Sequence, residues 1–560
     1  MRRHLRVGRD LNDDYPTIAE ALRRAGDGAV ITVAPGRYPE NLVVSRMVTI
    51  TAEAGRGTVE VAPPRGTVLQ VTAEAAKLSG ITLGGQDDDL PAVDVLRGQT
   101  ALEDCEVSGA SWAAVLTRES GSLAMRDCRI VNPAGAGIVD TSTAPSVIED
   151  CVLEHLGSSG VVISEGSDPT VRRCVIRDAR GNGVLANGRG AGTVEDCAIS
   201  DTEKPAIALE QESSTRVLRT AVRDVVVGIY VASTARTTLE DCTVQDTVGH
   251  GVILDSGTDP RLERCATSRT GGNGIRVIGR ARGVLDECVV SEARSAGVWA
   301  GDRSGPVFTR LTVRDGEAAG VELTEDCSAE FDRLTVRGGA GSGVVVRGGA
   351  NPLLRRVEIS EVGGYGVEVL AEGRGRLEEG EILASKRSGL RVADGGDPYA
   401  GRTVFRRTGG AGVSVGSGGR CTLRDCEIGE AGGQGVAVEE GAELTMARSR
   451  VQGGAQHGVL VAAGARALLN DCELSGNEGD GLRVDSTEAV GATGCSVLDN
   501  RGAGLRGPAR GSRLAVDALT SRGNGIADSW NGAGEGAHAQ PSEAGPAQSV
   551  RPPGGGAAGR

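Results

Sequence analysis

Residues 274–296 read GIRVIGRARGVLDECVVSEARSA, and this 23-residue pattern recurs along most of the chain. Each unit opens with a glycine followed by an apolar, a variable and a second apolar residue, and most units carry a cysteine further on. The glycine stands at 137, 160, 183, 228, 251, 274, 297, 320, 343, 366, 389, 412, 435, 458, 481 and 504, with Ala114 and Ala206 at two further positions. Self-similarity at a period of about 20–50 residues predicts a solenoid.

The units are short β-branched alternations punctuated by glycine, as in Gly343-Val344-Val345-Val346, and they leave no room for a helix of about ten residues. This excludes the helical repeat classes and predicts two or three short strands per unit. We therefore expect an all-β fold, a parallel β-helix of about 20 coils, where a coil is one turn of the solenoid.

The first and the third residue after each repeat glycine are expected to point into the core. The cysteine position forms a second inward column, because Leu311, Leu334 and Val357 replace cysteine there. We interpret the thiols as small core residues and not as a disulfide framework or a metal site.

The residue before the cysteine position alternates in charge from coil to coil. The column reads Asp150, Arg173, Asp196, Arg219, Asp241, Arg264, Glu287, Arg310, Arg333, Arg356, Glu379, Arg402, Asp425, Arg448 and Asp471, with a fault at Arg333. Opposite charges on adjacent strands attract, so the column is predicted to stabilise the stacking of the coils.

The two ends differ from the repeats. Thr17-Ile18-Ala19-Glu20 is a capping box, which predicts a short helix that covers the first coil, within an N-terminal cap of residues 1–30. The β-helix is expected at 31–526, and the Gly/Ala/Pro-rich segment 527–560 is expected to be disordered.

The composition bears on location and partners. The first residues lack the apolar stretch of a signal peptide, which predicts a cytoplasmic protein, and no apolar run is long enough to span a membrane. A net charge of −14 without a basic block makes nucleic acid an unexpected partner. Aromatic residues are 2% of the chain, which counts against a polysaccharide ligand.

The segments Tyr15–Leu22 and Gly28–Leu42 resemble the start of pectin-lyase-like right-handed β-helix proteins, and the coils after residue 100 are similar to the parallel β-helix repeat family. The resemblance implies a right-handed helix with three sheets, and it extends to actinobacterial β-helix proteins that are joined to ATPase modules. This fold carries both enzymes and non-enzymes, so the resemblance leaves the activity open. No G-x-x-x-x-G-K-[ST] motif is present, so no nucleotide or other cofactor is expected.

The enzyme hypothesis rests on few residues. Gly249-His250-Gly251 is similar to the glycine-histidine-glycine of polygalacturonases, but Pro205 and Val227 stand where that resemblance requires carboxylates. One column on consecutive coils holds Gln434, His457 and Asp480, with Arg483 nearby. In it Asp480 is a candidate to orient His457 as a base, and surface residues that happen to stack are the alternative interpretation.

A metal candidate lies in the acidic run Asp87, Asp88 and Asp89, which resembles the calcium ligands of pectate lyases; a solvated loop is the alternative.

The second residue after each repeat glycine is expected to point outward, and we call this column the outer row. Over six successive coils it is apolar, and after Arg276 it is apolar again at Trp299; the six residues are Val139, Val162, Leu185, Ala208, Tyr230 and Ile253. A contiguous exposed apolar surface predicts a contact site for a protein partner or a second copy, unless the chain itself covers it. The leading hypothesis is a non-catalytic cytoplasmic scaffold. The alternative is a carbohydrate-active lyase, hydrolase or epimerase with a polysaccharide ligand.

Overall fold

The computed structural model describes residues 4–10, 13–508 and 513–529, and they form a parallel β-helix of about 22 turns. The predicted all-β solenoid is confirmed. A coil contains three strands, as in Val252–Leu254, Arg261–Glu263 and Ala266–Thr270. Each strand pairs in parallel with its equivalent in the next coil, so that Val252 lies beside Ile275. Residues 23 apart in sequence are therefore vertical neighbours.

The strands form three ladders along the solenoid. The first ladder runs from Leu42–Val44 to Leu505–Arg506, the second from His4–Val7 to Arg513–Asp517, and the third from Gly36–Tyr38 to Thr520–Arg522. Two long strands, Val93–Glu103 and Ala113–Arg126, extend across the first and second ladders. The first-ladder strands that matter most below are Ile229–Ser233, Val252–Leu254, Ile275–Val277, Val298–Ala300, Val436–Val438, Val459–Val461 and Leu482–Val484.

The repeat glycine is required by the close approach of neighbouring coils. A Cβ atom on Gly251 would lie 2.5 Å from the carbonyl oxygen of Gly274, and one on Gly228 would lie 2.3 Å from that of Gly251. Such distances are well inside van der Waals contact, so a Cβ atom at these two glycines forces the coils apart, whereas the equivalent position accepts alanine at Ala114 and Ala206. The sequence marker is therefore a packing requirement of the first ladder.

The cysteine column lies in the core, as predicted. All thirteen cysteines are buried and free. In the column the thiol donates to the carbonyl of the residue two positions before, as from Cys151 to Glu149 over 3.1 Å. Thr220 and Ser449 place a hydroxyl at the same position and make the same bond. The thiol thus acts as a small buried donor at a turn.

The charge column coincides with that turn. Its residues adopt a left-handed backbone, with φ of 53° at Asp150 and 52° at Arg173. Pairs one coil apart form ion pairs of 2.7–2.9 Å: Arg173 with Asp150, Arg219 with Asp196, Arg264 with Asp241, Arg310 with Glu287, Arg402 with Glu379 and Arg448 with Asp425. These pairs are solvent-exposed, so water screens the attraction and each pair contributes little to stability. They confirm the predicted stacking of the column.

A helix, Ile18–Arg24, lies at the N-terminal end, and Thr17 accepts a hydrogen bond from the backbone of Glu20 as the capping box predicts. Glu40, which sequence reasoning missed, caps the backbone N–H groups of Ile18 and Ala19. The helix is an excursion within the β-helix, because the strand His4–Val7 before it already pairs with Ala29–Val33. No described helix is long and apolar enough to cross a bilayer.

At the C-terminal end, the backbone N–H of Ser529 still donates to Leu505, so the last described residues remain attached to the solenoid. The predicted tail, 527–560, lies outside the described residues from 530 onward.

One carboxyl group interrupts the apolar core. Asp140 occupies an inward position equivalent to Ile163, beside Thr117 in the preceding coil, and is 1% exposed. One of its oxygens accepts from the backbone of Ser142, while the other has no hydrogen-bond partner among the described residues. Burial raises the pKa of Asp140 to about 6.

Candidate functional site

The residue immediately before the repeat glycine forms a column at the turn into the first ladder, which we call the turn column. It contains His250, His457 and Asp480. Several acceptors in this column bind the backbone N–H of the equivalent residue one coil further, over 2.9–3.2 Å: Ser159 binds Asn182, His250 binds Asn273, Ser342 binds Tyr365, and His457 binds Asp480. These side chains therefore stabilise the stacking of coils.

The His457 ring has its Nδ1 lone pair engaged in this way. Its Nδ1 accepts from the backbone N–H of Asp480 over 2.9 Å, so the proton of the neutral ring is on Nε2. The Asp480 carboxylate lies 3.6 Å from the same Nδ1. Because this nitrogen carries no hydrogen, it donates no hydrogen bond to the carboxylate. Burial lowers the pKa of His457, although Asp480 acts in the opposite direction. The two residues are brought together as predicted, but not in the geometry of a histidine oriented as a base.

Asp480 is engaged elsewhere and is 3% exposed. One oxygen accepts from the backbone N–H of Ala503 over 2.8 Å, and the other lies 3.0 Å from Nε of Arg506. Sequence reasoning missed Arg506, although its position one coil after Arg483 in the outer row placed it beside this column. The carboxylate is thus neutralised within the protein.

The remaining two catalytic candidates do not join this pair. The Gln434 side chain donates to that of Gln456 over 2.7 Å. Arg483 forms an exposed ion pair with Asp485 over 3.2 Å. Of the four predicted residues, only His457 and Asp480 are in contact.

The acidic loop brings three carboxylates together. Oxygens of Asp87, Asp88 and Asp89 lie within 4.8 Å of one another. However, both oxygens of Asp87 accept backbone hydrogens, from Gly66, Asp89 and Leu90. Several effects lower the pKa of Asp87, and the hydrogen bond from the backbone of Gly66 is the largest of them. The side chain therefore has a turn-forming role, and a metal at this loop stays a prediction.

The outer row is continuous in the structure. Its members are register partners through the whole series from Val139 to Trp299. The expectation that all of them are exposed is wrong, because Val139 is 8% and Ala208 1% exposed, and Val162, Leu185, Tyr230, Ile253 and Trp299 are half-buried. The row buries itself: Val139 packs with Leu116, Ala136 and Val162 in a small cluster outside the main core. Its role in partner binding stays a prediction.

More accessible apolar side chains lie in the turns that lead into the same strands. Val226 and Val248 are exposed, the latter to 77%, and they precede the strands of Tyr230 and Ile253. Tyr230 itself donates its hydroxyl to Asp255 over 3.1 Å. The outer row and these valines together present apolar surface on neighbouring coils.

His250 has surroundings that the sequence did not suggest. Its Nδ1 accepts from the backbone of Asn273 over 2.9 Å, and its Nε2 lies 3.4 Å from Nη1 of Arg276. The Arg276 guanidinium in turn stacks over the Trp299 ring, 4.7 Å from its centroid. Burial, followed by the nearby Arg276 charge, lowers the pKa of His250. One ring nitrogen of His250 is thus bound to the backbone, and the other faces an arginine.

The solved structures similar to this chain are carbohydrate-active enzymes by their descriptions, but the likeness is low. The catalytic domain of a GH87 α-1,3-glucanase matches with a TM-score of 0.36 and 10% identity, over 63% of this chain and 64% of that domain. A PL6 family polysaccharide lyase from Pseudopedobacter saltans matches with a TM-score of 0.27 and 13% identity, over 64% and 85%. The pectin methylesterase from Aspergillus niger matches with a TM-score of 0.26 and 13% identity, over 47% and 84%. Matches at this level carry no argument about activity.

No curated protein matches the chain by sequence. The family model for a right-handed β-helix region matches residues 65–222, 167–310, 227–374, 296–415 and 388–532, which together cover most of the chain. With the three-strand coils and the parallel register described above, the chain belongs to the right-handed β-helix family.

Proposed function

We propose that this β-helix is a non-catalytic protein that binds a protein partner through the outer row between Val139 and Trp299. The observation that carries the proposal is that the polar side chains of the turn column are engaged in hydrogen bonds within the protein. There His457 and Asp480 bind the backbone of the next coil, and the Asp480 carboxylate is also paired with Arg506. A glycoside hydrolase needs an acid and a base that are free to act on the substrate.

The apolar surface supports binding. The row is contiguous over eight coils, it is half-buried along most of its length, and exposed valines flank it at Val226 and Val248. Apolar surface that is contiguous on a soluble protein commonly marks an interaction site. Half-buried side chains on a stack of strands are rigid, so little conformational entropy is lost on binding.

The test is a pair of double variants in the same structural row. Leu185→Asp with Tyr230→Asp places two charges in the proposed surface. Ala437→Asp with Leu460→Asp places two charges at equivalent outer-row positions further along the solenoid. Quantitative affinity capture from the native cells should recover one protein with the wild type and the second variant, and lose it with the first. Sedimentation velocity on the pure proteins identifies a second copy as that partner.

The enzyme alternative is tested on the same preparations. If the wild type degrades a polysaccharide and His457→Ala removes that activity while the fold persists, the non-catalytic proposal is wrong. Recovery of the same proteins by both double variants would contradict the assignment of the surface. A cytoplasmic location stays a prediction from the sequence.

A further inference from the structure

Two hydrogen-bond donors face each other beside the outer row. A backbone N–H always donates, so the bond from Asn273 to Nδ1 of His250 leaves the ring proton on Nε2. That Nε2 lies 3.4 Å from Nη1 of Arg276, whose guanidinium carries donors only. Two N–H groups at this distance do not satisfy each other. A single acceptor within hydrogen-bond distance of both groups would satisfy the two donors.

The Arg276 charge is not balanced by a carboxylate in the part of the chain that the structure describes. Among the described residues the side chain forms no ion pair, and its two row neighbours are Ile253 and Trp299. Stacking on the Trp299 ring fixes the guanidinium plane. Because Arg276 is half-buried, its charge is less well solvated than a free surface arginine, and an anion bound there gains a charge-assisted hydrogen bond.

From this geometry we propose that His250 and Arg276 form a binding subsite for a carboxylate carried by an acidic peptide segment of the partner. The inference rests on the proposed function and names the chemistry that the partner presents. A carboxylate accepts from both donors at once and neutralises Arg276. The half-buried Tyr230 and Ile253 on the two preceding coils offer apolar contact to the residues that flank the acidic side chain.

A saccharide fits the same position less well. Sugar rings bind aromatic side chains by lying on the ring face, and Arg276 already covers one face of Trp299. The hydroxyl of Tyr230 is also committed to Asp255. These contacts favour a peptide carboxylate as the occupant.

The chain contains a closed copy of this subsite nine repeats further along. His457, Asp480, Arg483 and Arg506 occupy the positions of His250, Asn273, Arg276 and Trp299. There the anion is internal, since Asp480 lies 3.0 Å from Arg506 and 3.6 Å from the His457 ring. This second copy is a matched control inside the same molecule.

The test is an acetate titration of the full chain at pH 7.5 and constant ionic strength, with chloride replaced stepwise. The imidazole resonances of the five histidines are followed by NMR, and the His250 signal is assigned with His250→Gln. We expect a saturable shift at His250 with a millimolar midpoint and no saturable shift at His457. Arg276→Gln should weaken the response at least about tenfold, which corresponds to the loss of one charge-assisted bond. Arg276→Lys should retain most of it.

Two further probes test the source of the carboxylate. A capped Gly-Gly-Glu-Gly-Gly peptide should shift His250, and the Gln version of the peptide should not. The absence of a saturable shift with acetate, or an equal response in Arg276→Gln with an unchanged melting curve, would overturn the subsite. A trigalacturonate that saturates His250 at lower concentration than the Glu peptide would overturn the assignment to a peptide. Acetate binding involves no partner, so it remains informative even if the proposed partner surface proves wrong.

Discussion

The turns around His250 and His457 occupy equivalent places in the solenoid, nine repeats apart, and they differ in how charge is balanced. Each histidine binds the backbone of the next coil through Nδ1, and each has an arginine at the same outer-row position. Around His457, the buried Asp480 supplies the negative charge and Arg506 pairs with it. Around His250, Asn273 replaces the carboxylate, and Arg276 forms no ion pair within the described part of the chain. One scaffold position is thus either closed by the chain itself or left open to an anion.

The largest expected difference between the two turns is in stability. Asp480→Ala leaves the Ala503 N–H without an acceptor and Arg506 without its partner, which should cost about 3 kcal/mol. Asn273→Ala removes one neutral hydrogen bond to Ala296 and should cost about 1 kcal/mol. Urea unfolding measures both, and amide exchange at Ala503 localises the first effect. Equal costs would mean that Asp480 is not the more deeply integrated residue.

Asp140 shows what a buried carboxyl does without a basic partner. Burial raises the pKa of Asp140 to about 6, so the fold prefers the protonated form. Its contribution to stability is fully present below the unfolded pKa of about 4 and is lost as the pH rises through about 6. Asp140→Asn should therefore raise the free energy of unfolding by about 2 kcal/mol at pH 8 and change it little at pH 4. Urea unfolding at the two pH values checks this, and a gain of the same size at both would refute it.

The sequence predicts the columns well because a fixed 23-residue period makes residues such as Asp150 and Arg173 vertical neighbours whatever the details of the turn. The same period brings His457 and Asp480 together. What it does not contain is the direction of a side chain within a column. Nδ1 of His457 could accept a hydrogen bond from the backbone or donate one to the Asp480 carboxylate. Which of the two forms depends on differences of less than an ångström in where the ring lies at the turn.

Burial of the outer row was also beyond the sequence pattern. Alternation correctly assigns Val139 to the outside of the sheet, but there it packs against Leu116, Ala136 and Val162 and is buried outside the main core. Arg506 is a different case, because its row position was available from the repeat.

Exchanging the asparagine and the aspartate at the equivalent positions 273 and 480 should shift the anion response of each turn toward that of the other. Asn273→Asp places a carboxylate beside His250 and Arg276, and it should weaken the acetate response of His250 about tenfold. Asp480→Asn removes the internal anion and should give His457 a response that it lacks in the wild type. The NMR titration described above measures both. An acetate response at His250 that survives Asn273→Asp would show that the donors are not sharing one acceptor site.

The smallest effects are opposite changes in the titration of the two histidines. Arg276 contributes to the lowered pKa of His250, so Arg276→Gln should raise that pKa. Asp480 opposes the lowering at His457, so Asp480→Asn should lower that pKa further. In both cases the fold favours the neutral ring, so this part of the stability is lost as the pH falls below about 6.5. A pH titration of the imidazole resonances checks the signs, and a shift in the same direction at both rings would be inconsistent with the charges described.

The tautomer of the two rings decides between a structural and a catalytic turn column. The ¹⁵N resonances of His250 and His457, recorded at pH 7.5 with ¹⁵N-histidine, distinguish a bare ring nitrogen from a protonated one. We expect a bare Nδ1 and a protonated Nε2 in both residues, because each Nδ1 accepts a backbone hydrogen. A protonated Nδ1 in His457, donating to Asp480, would contradict it and restore the histidine–aspartate pair as a candidate base.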